Sequence, residues 1–439
     1  MSVARAVRRV RQAGGAIARG ADNVREYGYV LITLAAQGAS IVFYLLLARG
    51  LAPAVYGDSM AGVAAALFVA GTLNFGSNSH LVREITRGVL GSEDLASRII
   101  GRVGYSVVAG ALVGVFGIVV SGQNWLFGLG LALLTVSYHG AQLFLVAPLA
   151  MRRLVLAGLV QLADKTIALV LAALMFSLDM VNGVLLPYMI AAGNFVSILT
   201  VLVMVFPLAR SKGLGRRFNW SPSLIGLKLG LINPWRGSAS IGVSSVAFSM
   251  QQLDVSIIRT IAGAAPAGEY AAVSRWNQPA SLVASSLGQA ILPKLSSAGS
   301  VRGALWVVMR LWPVNLAVIG CASVGFYYAD PLVDVALGAA YSQSSGALKI
   351  LMAIIPLSFF SNQLFTLLVS QRLDRLCAKY VVAAMIIGLA SQPILALSYG
   401  STGAAIGFGL GQVLLLICLL FLCGKYMIVR SVRSGDHRL

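Results

Sequence analysis

Long apolar runs, separated by short polar or basic stretches, recur along the whole chain. A helix needs about 20 apolar residues to cross a bilayer. By that length the pattern predicts about twelve spans: Tyr27–Gly50, Ser59–Val82, Val103–Ser121, Trp125–Pro148, Leu154–Phe176, Asn182–Phe206, Gly237–Ile258, Tyr270–Leu292, Ala304–Tyr327, Leu348–Val369, Val381–Tyr399 and Gly403–Cys423. Continuous apolar runs, not period-two alternation, favour helices over a transmembrane barrel. The expected fold is an all-α polytopic membrane protein.

The polar breaks suggest sides. With the N-terminus placed in the cytoplasm, most Lys and Arg fall on alternate connections, while the opposite turns hold only Arg49 and Arg259. The positive-inside rule then predicts both termini in the cytoplasm. The longest break, 207–236, carries Trp220 and Trp235 and reads as a cytoplasmic linker on the lipid surface. It divides the spans into lobes at 27–206 and 237–424, flanked by basic tails at 1–26 and 425–439. The turns LARGLAPAVYGD (Leu47–Asp58) and IIRTIAGAAPAGEY (Ile257–Tyr270) resemble each other. With six spans per half, they predict parallel repeats about an axis along the membrane normal.

Composition narrows the class. The chain is 58% hydrophobic and 11% charged, with mean hydropathy +0.85. Soluble domains are about 25% charged. The net charge of +19 follows the topology and calls for no nucleic-acid partner. Cys321, Cys377, Cys418 and Cys423 lie in or beside apolar runs without C-x-x-C or Cys/His spacing, which supports neither a disulfide framework nor zinc. His80 and His139 lack neighbours at ligand spacing, and no cleavable signal is apparent. Walker A, G-x-S-x-G and H-E-x-x-H sequences are missing, so neither enzyme chemistry nor a cofactor is expected.

Charges inside spans are the candidate chemistry, because a charge at the bilayer centre costs roughly 2.5–3.5 kcal/mol on insertion scales. Lys165, Arg275, Arg310 and Lys349 outnumber Asp164 and Asp254 there. Lys165 falls near the middle of its span. Adjacent Asp164 is not expected to face it, since neighbours at i and i+1 point apart on a helix. The cationic balance predicts a cavity for an anion. Arg49 would mark its outer mouth and Arg83 its inner one, with Lys165 and Arg275 between. Asp254 and Arg275 lie at matching depth on antiparallel neighbours and are expected to pair, either as a permanent structural pair or as one that parts when substrate competes for Arg275.

Several stretches carry a family resemblance: LLLARGLAPAVYG (Leu45–Gly57), HLVREI (His80–Ile85), QLDVSIIRTIAGAAPAGEYAAVSR (Gln252–Arg275), AILPKLS (Ala290–Ser296), DPLVDVALGAAY (Asp330–Tyr341), LVSQRLDR (Leu368–Arg375) and YGSTGAA (Tyr399–Ala405). In this order they resemble the Wzx-type polysaccharide flippases of the multidrug/oligosaccharidyl-lipid/polysaccharide exporter superfamily. Asn74 departs from the pattern, since similar sequences often carry Asp there. The resemblance implies two six-helix lobes around a central cavity in a bacterial inner membrane. It also implies alternating-access transfer of a polyprenyl-pyrophosphate-linked oligosaccharide for O-antigen, capsule or exopolysaccharide. Membrane lipids, a polysaccharide polymerase and assembly proteins are the implied partners. A drug/cation antiporter of the same superfamily and a non-transport scaffold are the alternatives. A major-facilitator transporter is disfavoured because residues 83–98 lack its basic loop signature.

Overall fold

The computed structural model describes residues 28–29, 31–86, 92–121, 125–151, 153–211, 232–278, 300–371 and 373–435, with scattered positions between 280 and 298. The described elements are helical throughout. The first group comprises α1 (Leu31–Gly50), α2 (Pro53–Asn74), α3 (Ser77–Thr86), α4 (Ser92–Ser121), α5 (Trp125–Phe144), α6 (Val146–Ala150), α7 (Leu154–Ser177) and α8 (Leu186–Ser211). Within it, α5 packs on α2, α4 and α8, and α7 on α8.

The second group opens with α9 (Ala239–Met250), which passes through a 3₁₀ turn at Gln251–Leu253 into α10 (Asp254–Ala262). After Gly263, α11 (Ala264–Ser274) likewise runs into a 3₁₀ turn at Arg275–Asn277. The next span is bent by 52° between α12 (Val301–Met309) and α13 (Trp312–Tyr327), where Pro313 opens the second half. A short α14 (Ala329–Ala336) and a 3₁₀ segment (Ala339–Ser344) lead into α15 (Ser345–Ser370).

The last apolar stretch is a hairpin. Gly400 has φ 56° and ψ −140°, so α16 (374–399) folds back as α17 (401–435). A left-handed φ is open to glycine without penalty. Gly407 and Gly411 then let the two arms touch: a Cβ on Gly407 would lie 2.5 Å from Gln392 Cα, and one on Gly411 2.9 Å from Gly388 Cα. Each apolar run thus pairs with a partner at backbone distance, as small-residue membrane interfaces do. Among the described residues, eight helices, or nine with the bent pair as one span, are long and apolar enough to cross a membrane, and the last of them is this hairpin.

The lobes meet along α2, which lies beside α9, α10 and α11. At the end bearing the turns before Pro53 and Ala264, the approach is backbone to backbone. A Cβ on Gly57 would sit 1.9 Å from the Ala264 carbonyl oxygen, and one on Gly268 1.8 Å from that of Pro53. The two similar turns of the sequence therefore cross each other. Ser256 donates to the Ala61 carbonyl at 2.7 Å, and Arg259 pairs with Asp58 at 2.8 Å. Tyr341 donates to the Leu51 carbonyl at 3.1 Å and sets its ring edge-on to Tyr56. At the other end, the Trp235 indole donates to the Leu73 carbonyl at 2.6 Å and lies against Tyr105. Trp235, expected at the lipid surface, thus spends its N–H on the Leu73 carbonyl near the end of α2. Trp220, most of the 207–236 stretch and the N-terminal tail lie outside the described residues.

Candidate functional site

Between the lobes lies a cavity of about 470 Å³, lined from both sides. The first lobe contributes Gln37, Ser40 and Tyr44 on α1, Leu67 on α2, Tyr138 on α5 and Lys165 on α7. The second contributes both 3₁₀ turns: Gln251, Gln252 and Asp254 at one, and Arg275, Asn277 and Gln278 at the other. The helix breaks face the same space. Polar backbone irregularity inside a membrane is tolerated where it lines a cavity, and both turns fit that rule.

Arg275 is 8% exposed and its Nε has no hydrogen-bond partner. Its guanidinium lies 4.7 Å from the centre of the Tyr44 ring. Stacking on a ring face attracts the cation while leaving its N–H edge open to an acceptor. Lys165 pairs with Asp164 at 2.8 Å. That overturns the expectation that adjacent residues could not meet: the long Lys side chain curls back to its neighbour's carboxylate. The pair leaves Asp164 compensated and places the ammonium at the cavity wall.

Asp254 and Arg275 share the cavity without forming an ion pair. The Asp254 carboxylate accepts the Val255 N–H at 2.6 Å and the Tyr270 hydroxyl. The proposed pair therefore requires correction. Asp254 follows the 3₁₀ turn at Gln251–Leu253, and the Val255 N–H and Tyr270 make its shell. Arg275 acts on it only through space.

The two predicted mouth residues fare differently. Arg49 lies outside this cavity: it is exposed and donates to the Val335 carbonyl at 2.8 Å, near the end of α14. The Arg83 backbone belongs to α3, and its side chain lies outside the described residues. The remaining span cations are also elsewhere. Arg310 sits at the α12–α13 bend over Trp306, and Lys349 bonds Asp330 at 2.7 Å. Outside the spans, that Lys349 bond, with one from Ser345, holds the Asp330 carboxyl below its usual range.

Sequence reasoning missed Tyr44, Tyr138 and Tyr270 as cavity residues and counted Arg102 as a loop charge. Arg102 is fully buried in α4 and donates to Asn74 Oδ1 at 3.1 Å. The tyrosines carry no distinguishing local signal. Arg102 does, standing at the head of an apolar run beside its α-helical neighbour Arg98. Among the described residues no group of three metal-ligating side chains occurs.

The fold is similar to that of several solved membrane transporters. In particular, the chain is similar to the lipid II flippase MurJ in an inward closed conformation, at 14% identity and TM-score 0.68, over 90% of this chain and 86% of that one. It is also similar to the eukaryotic MATE transporter AtDTX14, at 14% identity and TM-score 0.60, over 91% and 95%. A third similar structure is a MOP-superfamily transporter from Pyrococcus furiosus, described as having a binding pocket of reversed polarity, at 11% identity and TM-score 0.59, over 92% and 96%. No family model and no curated protein matches the chain.

Proposed function

We propose that this protein is a flippase for polyprenyl-pyrophosphate-linked oligosaccharide, moving it between leaflets of a bacterial cytoplasmic membrane by alternating access. The observation that carries the reading is the central cavity, where Arg275 offers a guanidinium whose Nε has no partner and Lys165, paired with Asp164, brings its ammonium to the wall. Arg forks onto phosphate oxygens through two parallel hydrogen bonds, and Lys adds a point charge. A pyrophosphate carries the charge that such a pair complements. The lobe contacts at the Gly57–Gly268 crossing would close the periplasmic side, with the cavity opening toward the cytoplasm. The first-lobe, linker and second-lobe limits remain at 27–206, 207–236 and 237–424 in this reading.

A drug/cation antiporter is the second reading, favoured by the MATE fold and by Asp254 in the cavity wall. Tyr270 and the Val255 N–H already occupy that carboxylate, whereas Arg275 Nε is unoccupied. The two readings part on the transported species. In proteoliposomes, the flippase reading expects protected fluorescent polyprenyl-pyrophosphoryl sugar to become accessible from the opposite side, with no uptake of ethidium-type cations. In cells, loss of the protein should accumulate lipid-linked oligosaccharide on the cytoplasmic face. Cation transport without lipid translocation would reverse the assignment.

A further inference from the structure

The central cavity continues into the second lobe. A side pocket of about 170 Å³ shares Gln251, Asn277, Ser281 and Phe408 with it and reaches inward to Ser358, Asn362 and Gln412. Its chemistry differs from that of the main cavity, since no residue of its lining is charged. Amides and hydroxyls face a space walled by Phe248, Phe359, Phe365 and Phe408.

The polar groups there are uncommitted. Ser358 Oγ and Asn277 Oδ1 are buried without a hydrogen-bond partner. Gln251 spends its amide N–H on the Met385 sulfur at 3.0 Å, a weak acceptor. Buried polar atoms are ordinarily bonded, and each exception asks for an explanation such as an absent ligand or water. The rings are already fixed for a face: Phe248 and Phe365 meet edge-to-face at 5.7 Å. Neutral donors and acceptors combined with ring faces suit a ligand that is polar around its rim and apolar on its flat sides. A pyranose ring has that form, with equatorial hydroxyls for the amides and axial C–H groups for the rings. A second pyrophosphate does not, because the pocket offers it no cation.

We infer that this pocket is a sugar subsite that receives one neutral hexose of the substrate while Lys165 and Arg275 hold its pyrophosphate. The assignment rests on the flippase reading and adds to it a division of labour. Charge is read at the lobe interface, and the carbohydrate is read inside the second lobe. Because Asn277 lies two residues beyond Arg275 on the same 3₁₀ turn, one backbone element carries a contact to each part of the ligand.

The test compares two probes on purified protein in detergent: undecaprenyl pyrophosphate, and the same lipid carrying one glucose. Two added neutral hydrogen bonds, at about 1 kcal/mol each, correspond to roughly a tenfold or greater preference for the glycosylated probe. Asn362→Ala with Gln412→Ala should bind the bare lipid as wild type does and lose the preference. If that double variant fails to fold, Ser358→Leu serves instead. It removes an unsatisfied hydroxyl and fills the pocket, and it too should lose only the preference. Equal binding of both probes by wild type, or an undiminished preference in the variants, overturns the subsite and leaves the flippase reading standing. Failure of wild type to bind the bare lipid overturns the flippase reading itself, and the subsite with it.

Discussion

At the scale of single residues, Arg275 illustrates how a buried cation can be kept available. Its guanidinium lies over a ring face while its Nε has no hydrogen-bond partner, so it is attracted without being consumed. A cation–π contact is worth about 0.5–2 kcal/mol, depending on desolvation. Tyr44→Leu should therefore weaken polyprenyl-pyrophosphate binding, but by less than Arg275→Ala, as read by titration of the purified variants. Lys165→Ala with Arg275→Ala should abolish transport at normal membrane abundance, and wild-type transport by that double variant would remove the cationic site. Asp254 leads to a different expectation. Because it is held by Tyr270 and the Val255 N–H, the exchange Asp254→Arg with Arg275→Asp should not restore transport. Full recovery in a flipping assay would reinstate the direct pair.

Helices and their breaks form the next scale, and here the sequence was unevenly legible. Apolar length located the spans, and Leu154–Phe176 falls almost on the observed Leu154–Ser177. Length said nothing about the 3₁₀ turns at Gln251–Leu253 and Arg275–Asn277; the first has no Gly or Pro beside it, while Pro279, which cannot donate to the Arg275 carbonyl, follows the second. Two other breaks did have local signals. Pro313 follows the α12–α13 bend, and Gly76 follows Phe75, both with positive φ, between α2 and α3. The site was legible as a set of charges, and Lys165, Arg275 and Asp254 do converge. Their pairing was not legible, because partner choice depends on side-chain reach and on a tyrosine from another helix. The glycines of the last hairpin allow a direct check. Gly407→Leu places a side chain where the Gln392 backbone already lies, an overpacking of about 1–3 kcal/mol or more, whereas Gly424 has open space around it. Fluorescence-detected size exclusion should show loss of the first variant and retention of Gly424→Leu.

For the whole molecule, the fold and the basic connections together yield a topology that can be tested. Reporter fusions after residue 215 should read cytoplasmic, and those near residue 335 external. A reversed reading at either place would invert the proposed direction of opening. The fold similarity to MurJ and to a MATE transporter gives an architecture and not a function, so the proposed function rests on the polarity of the cavity.

The closure at the Gly57–Gly268 crossing also has an energetic character. Its one charged fastening, Arg259 to Asp58, is about a quarter exposed on each side chain. Such partly solvated pairs contribute about 0–1 kcal/mol and are screened by salt. The backbone contact at the two glycines has no side chain to interlock. The other fastenings described at this crossing, Ser256 to the Ala61 carbonyl and Tyr341 to the Leu51 carbonyl, are neutral, so salt acts chiefly on the ion pair. Ionic strength then becomes a lever on conformation. Raising it should shift a distance probe placed across the crossing, on residues other than 58 and 259, toward the parted state, and Asp58→Asn should produce the same shift at low salt and make the protein indifferent to more.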